Sequence, residues 1–233
     1  MAKDRKKPRG SLGVIRMTPD GSSFLALELP RSKEGIEDFI VNSLLRTTTW
    51  GKKRPVVLAG RPRRNHENSL DYTIDTTVGT QFLELMEVAP LDRMMSRYPN
   101  EPMMQRAGDR ADWVWSKMMK KAGRYGNRAD SRIHLLLYST HTPFDLSPSA
   151  MKLLSLWCAK LRSHPFASVA FVAMYGDGSA QLSPIHPVRI PRGMNEQDLR
   201  DEEYFLPELS QAQISPDGST WYTRLPKGFF DGD

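Results

Sequence analysis

The stretch LDYTIDTTVGTQFLELMEV, residues 70–88, decides how the chain is to be read. Leu70 to Asp75 alternates apolar and polar residues with period two, the pattern of a half-buried strand. Gln81 to Val88 is a second strand, reached through Thr76-Thr77-Val78-Gly79. The hairpin carries Asp71, Asp75, Glu84 and Glu87, although like charges at facing positions weaken a strand pair. Register decides which acids meet. With the loop 76–79, residue 75 pairs with 80 and Asp71 stands opposite Glu84; one residue more in the loop and Asp71 faces Leu85 instead, because a one-residue slip exchanges the faces. In the first register two carboxylates within about 5 Å repel, and each raises the other's pKa unless a cation neutralises them. Mg²⁺ suits such an all-oxygen site completed by water and phosphate oxygens.

Outward from the hairpin, Ser32 caps a helix from Lys33 to about Leu45, with Ile36, Phe39, Ile40, Leu44 and Leu45 at i, i+3, i+4 spacing. Glu34 and Glu37 favour its N-terminal turns, where the helix dipole is positive. Pro55 to Ala59 is a short strand candidate, followed by a basic loop over 60–68. Downstream, a proline-broken connection leads into a helix from about Met103 to Arg124, and Arg132 to Thr140 is an apolar run expected at the centre of a sheet. Ser147-Pro148 opens a helix to about Ser163, and Val169 to Tyr175 is another buried strand. This order predicts a mixed α/β sheet with helices on both faces. Two Pro-Asp-Gly-Ser turns, at 19–22 and 216–219, predict peripheral β-hairpins near the two ends.

The arrangement resembles the restriction-endonuclease-like superfamily, the PD-(D/E)XK nucleases. The carriers are Asp71, a gap, then Glu84-Leu85-Met86 on the next strand, preceded by a helix containing Glu37 and followed by a helix and a buried strand. The family's order of helix, three-strand meander, helix and fourth strand matches residues 33–140, and the likeness extends over roughly 33–190. It implies that Asp71, Glu84 and the Leu85 carbonyl hold Mg²⁺ or Mn²⁺, with Glu37 as an extra acid, and that the substrate is a nucleic-acid phosphodiester. Met86 stands where the family places its lysine. Some members supply that lysine from the neighbouring helix, which here makes Lys117 and Lys121, four apart on one helical face, the catalytic candidates. The same spacing also fits a solvated face or a phosphate clamp. Met86 favours the alternative that the chain is a catalytically inactive nuclease fold serving as a nucleic-acid-binding or protein-scaffold subunit.

Charge points to the same partner. The 233 residues carry a net +6, but it divides unevenly: +4 in a basic arm over 1–10, +8 over 11–194 and −6 over 195–233. Lys52, Lys53, Arg54, Arg61, Arg63 and Arg64 form an acid-free cluster, and a second cluster along 106–132 includes Lys120 and Arg124. Such clusters neutralise phosphates and release counterions, while the plainer reading is a solvated surface. The domain expectation is therefore a disordered arm over 1–10, an α/β domain over 11–190 and an acidic extension over 191–233.

Other chemistry is weakly signalled. The five histidines lack zinc-ligand spacing, and neither a dinucleotide fingerprint nor a phosphate loop is present. A lone cysteine, Cys158, and a basic start with no apolar stretch behind it fit a cytoplasmic compartment. No apolar run reaches the ~18–20 residues of a membrane span. Trp113 and Trp115 lie on the basic helix; two apart, they point differently, so one suits the core and one can stack on bases. A protein partner or a second copy of the chain stays open as a further association.

Overall fold

Turn chemistry shapes the first hairpin, β1 (Leu12–Thr18) and β2 (Gly21–Leu27). Thr18 pairs with Gly21 across Pro19-Asp20, and Gly21 takes a φ of 144° that disfavours a side chain. The computed structural model describes residues 12–46, 61–65, 70–76, 79–89, 105–125, 132–140, 144–161, 165–175, 179–204, 213–214 and 221–225. Within these, α1 (Lys33–Arg46) begins where the Ser32 hydroxyl accepts from the Gly35 N–H at 3.0 Å. Then come β3 (Arg63–Arg64), β4 (Tyr72–Thr76), β5 (Gly79–Glu87), β6 (Gln105–Arg106) and α2 (Ala107–Tyr125). The chain continues through β7 (Ile133–Tyr138), α3 (Pro148–Lys160), β8 (Phe166–Met174), β9 (Ala180–His186), α4 (Glu196–Asp201), β10 (Glu203–Tyr204), β11 (Gln213–Ile214) and β12 (Trp221–Leu225). At α3 the Ser147 side chain accepts from the Ala150 N–H, with proline at the first helical turn.

Six strands form the main sheet in the order β3-β4-β5-β7-β8-β9. β3, β4 and β5 run as an antiparallel meander, β7 and β8 lie parallel to β5, and β9 returns antiparallel at the edge. Parallel neighbours need helical crossovers, which α2 and α3 supply. The fully buried β7 is central, as its unbroken apolar run predicts. On one face Met86 of β5, Val88 just beyond it, and Leu135 and Leu137 of β7 pack under Val114 and Met118 of α2 and Leu153 and Leu154 of α3. On the other, Ile36, Ile40 and Leu44 of α1 cover Tyr72, Ile74, Leu83 and Leu85. The mixed α/β architecture with helices on both faces is thus present.

One expectation needs correction. The outer strand of the meander is Arg63–Arg64, inside the stretch read as a basic loop, while the 55–59 strand candidate lies outside the described residues. Arginine is a poor sequence signal for a strand, and here Arg64 earns its place through side-chain partners described below. The sequence pattern does not announce the edge strand β9 or the short α4; β9 carries Pro184, which an edge strand tolerates because it has one unpaired side. The second small sheet, β11-β12-β1-β2, joins the two peripheral hairpins through five β1–β12 residue pairs, from Gly13↔Leu225 to Met17↔Trp221. Among the described residues no helix is long and apolar enough to cross a membrane.

Candidate metal centre

The β4–β5 register runs from Tyr72↔Leu83 to Thr76↔Gly79 and includes Asp75↔Thr80. One step further, Asp71 comes opposite Glu84, the register that brings the two acids together. They interlock through the backbone: the Asp71 N–H donates to Glu84 Oε2 at 3.3 Å, and the Leu85 N–H donates to Asp71 Oδ2 at 2.7 Å. Glu84 is buried, on the sheet face that α2 covers.

Lys121 completes the group from α2. Its ammonium forms an ion pair with Glu84 Oε1 and donates to the Leu85 carbonyl at 3.1 Å. A turn further along the same helix, Tyr125 hydrogen-bonds to Glu84. Burial, and next the charge of Asp71, raise the Glu84 carboxyl above the ordinary carboxylate range, and Lys121 and Tyr125 pull against that rise. Burial and then the Glu84 charge push the Tyr125 phenol upward. From α1, burial works against the Lys33 charge, but Glu37, Asp71 and Glu84 together hold its ammonium above the usual lysine value.

The donor set fits a hard cation. Asp71, Glu84 and the Leu85 carbonyl offer only oxygen, and the Lys121 ammonium already stands on two of these three groups. Among the described residues no three side chains of His, Cys, Asp or Glu gather into a metal-holding group. Glu37 therefore does not join the pair as an extra acid. It lies buried between Lys33 at 3.1 Å and Arg64 at 3.0 Å, where its charge is matched locally.

The residues expected at phosphates separate into distinct groups. Arg64 is drawn inward: it donates to Glu37 Oε2, Asp38 Oδ1, the Glu34 carbonyl and the Tyr72 hydroxyl, and its guanidinium lies 4.9 Å from the Tyr72 ring centre. That guanidinium is a clamp between α1 and the sheet, which corrects its reading as a phosphate contact. Arg63 pairs with Asp75 at 3.1 Å on the surface, and Arg61, Lys120 and Arg124 are exposed. Lys52, Lys53 and Arg54 lie outside the described residues. Lys117 holds its ammonium 5.3 Å from the Trp113 ring centre, while Lys121 reaches the acids. Sequence reasoning missed Tyr125 and Lys33. The i, i+4 stripe Lys117-Lys121-Tyr125 was the available signal for the first; Lys33, at the start of α1, had none.

The chain matches no protein-family model, no curated protein and no solved structure.

Proposed function

We propose that the chain is a divergent restriction-endonuclease-like protein that acts on nucleic-acid phosphodiesters with a divalent metal. The observation that carries this reading is the Lys121 ammonium beside Asp71, Glu84 and the Leu85 carbonyl: a lysine from α2 stands in the group from which Met86 withholds one. The order α1, β3-β4-β5 meander, α2, and β7 parallel to β5 supports the same fold assignment. Asp71, Glu84 and the Leu85 carbonyl would hold Mg²⁺ or Mn²⁺. When bound, such an ion supplies a water activated at neutral pH and neutralises charge on the phosphate. Asp71 and Glu84 are fixed for this task by their bonds to backbone on the facing strand. Lys121 contributes positive charge to the phosphate oxygens, and the exposed Lys120 and Arg124 on the same helix hold the neighbouring backbone.

A second reading rests on the same contact. An ammonium seated on two of the three donors offsets the Glu84 charge without a metal, which describes a silent nuclease fold used for binding. Thermal unfolding separates the two. A metal held by the native state alone stabilises it by about 2.7 kcal/mol at a hundredfold excess over its Kd. The nuclease reading expects millimolar Mn²⁺ to raise the melting temperature of the wild type and not of Asp71→Ala, and expects Mn²⁺-dependent cleavage that disappears in Glu84→Ala. Equal melting curves with and without metal in both proteins would leave the silent fold.

A further inference from the structure

Among the described residues Glu84, its side chain 4% exposed, is held by three donors from two directions. From the start of β4 the Asp71 N–H reaches Oε2 at 3.3 Å; from α2 come the Lys121 ammonium, on Oε1, and the Tyr125 hydroxyl. Lys33 acts on this carboxylate only through its field, because its ammonium is paired with Glu37 at 3.1 Å and its side chain is 68% exposed. A carboxylate has about four acceptor sites, so Glu84 is still able to coordinate an ion. The two donors from α2 differ in charge, and this decides which of them can serve beside a cation. An ammonium and a divalent ion repel each other, so at a shared carboxylate each weakens the other's hold. A phenol is neutral at pH 7 and donates its hydrogen bond without opposing the ion.

Tyr125 is also placed to hold a fixed position. It is the last residue of α2, four beyond Lys121 and so on the same helical face, and its half-buried ring packs against the apolar core beneath that helix. The ring is anchored by packing, and the hydroxyl is what remains to act. We propose that Tyr125 is a positioning residue of the metal centre: its hydroxyl holds the Glu84 carboxylate in place for a divalent ion, while the Lys121 ammonium opposes that ion. The inference rests on the metal-binding reading of Asp71 and Glu84 and deepens it. One helix then supplies both a competitor of the metal and a support for its ligand. Outer partners of a metal ligand fix its orientation, and loss of one weakens metal binding by about 10- to 100-fold.

The test titrates the full chain with Mn²⁺ at pH 7.5, without nucleic acid, and follows the fall of the free-ion electron paramagnetic resonance signal. Tyr125→Phe keeps the ring and removes only the hydroxyl; it is expected to raise the Mn²⁺ Kd by about 10- to 100-fold. Lys121→Met is expected to lower that Kd. Opposite signs from two residues on one helical face are a result that lost packing would not give. The loss from Tyr125→Phe should persist when it is added to Lys121→Met, where no ammonium stands on Glu84. Unfolding curves in EDTA establish that each variant is folded, and p-aminophenylalanine at position 125, a neutral ring with an N–H donor, should recover most of the wild-type affinity. An unchanged Kd in Tyr125→Phe, with binding lost in Asp71→Ala, would overturn the positioning role and leave the metal centre standing. A wild type that binds no Mn²⁺ at millimolar concentration would overturn both, as would an Asp71→Ala protein that binds it as tightly as the wild type.

Discussion

The two faces of the β4–β5 hairpin hold acids beside bases in different proportions. On the α1 face, Glu37 and Asp38 meet Lys33 and Arg64, and Arg64 alone has four hydrogen-bonding partners. Charges there balance, and the Tyr72 hydroxyl closes the network by donating to Asp38 at 2.5 Å. On the α2 face, the two acids share one ion-paired cation, Lys121 on Glu84, while Asp71 accepts from the Leu85 N–H and feels Lys33 only at a distance, so the acids are less fully matched. A balanced cluster around a buried acid acts as a structural clamp; an unbalanced one has an electrostatic reason to take up a cation. This difference separates Glu37 from the acids it resembles in sequence, and it ranks the experiments that follow.

The largest effect belongs to the balanced side. Arg64→Ala leaves Glu37, only 2% exposed, with the exposed Lys33 as its one remaining ion-pair partner, and removal of one partner of a buried charge costs up to about 3–5 kcal/mol. Chemical denaturation should show that loss, and Glu37→Gln in the same chain should recover a large part of it, because the stranded charge is then gone. A loss under about 1 kcal/mol for Arg64→Ala would return Arg64 to the surface bases and erase the distinction between the two faces.

His134 provides a buried polar site with no charge to balance. It sits in the central strand with Nδ1 2.7 Å from Ser168 Oγ and Nε2 against Gln81, and burial lowers its pKa to about 4. The folded state therefore binds fewer protons than the unfolded chain, whose histidine titrates near 6.5. The resulting stability is complete above pH about 6.5 and is lost as pH falls toward 4, a total of about 3 kcal/mol. Urea titrations from pH 7 to 4 should show this acid slope in the wild type and lose most of it in His134→Asn. An unchanged slope would place the acid sensitivity in the carboxylates instead.

How much of this was legible in the sequence depended on what each residue touches. Alternation and turn residues located β4 and β5, and the apolar run located β7, because strand identity there is set by burial that leaves a pattern in the letters. The Asp71–Glu84 pairing was readable only as one of two registers, since a single loop residue decides it. Lys121 stood among several lysines of one helix; its reach to Glu84 depends on how α2 lies across the sheet, which local periodicity does not encode. Arg64 was misread for the same reason. Its partners come from α1 and β4, and Glu34, the most distant in sequence, lies 30 residues away. Trp113 and Trp115 were separable in principle: the first is buried beneath Arg110 and Lys117, the second lines an open cleft with Trp157, but the sequence did not say which.

On the unbalanced side, Lys121→Met removes the cation in contact with the acids. Glu84, already raised by burial and Asp71, is then raised further. A carboxyl raised in the folded state costs stability as pH climbs from the unfolded value through the folded one. The substitution should therefore destabilise by about 1–3 kcal/mol at pH 7.5 and by much less at pH 5. Millimolar Mn²⁺ should restore more stability to this variant than it gives the wild type, since the ion no longer competes with an ammonium. A loss independent of pH would mean that Lys121 acts through packing, and the contrast between the two faces would no longer rest on charge.

The smallest effect is expected at Arg63, and it is useful for being small. Arg63 pairs with Asp75 at 3.1 Å, with side chains 66% and 47% exposed, and an ion pair of that exposure contributes under about 1 kcal/mol. Arg63→Ala should leave the melting temperature within a few degrees of the wild type. It stands next to Arg64 in the same two-residue strand, so the pair compares a surface base with a clamped one at nearly the same place. If Arg63 contacts a phosphate, the variant weakens oligonucleotide binding and lowers the slope of log K against log salt by nearly one. An unaltered slope would confine phosphate contacts to the α2 side of the sheet, where Lys120 and Arg124 are the exposed bases.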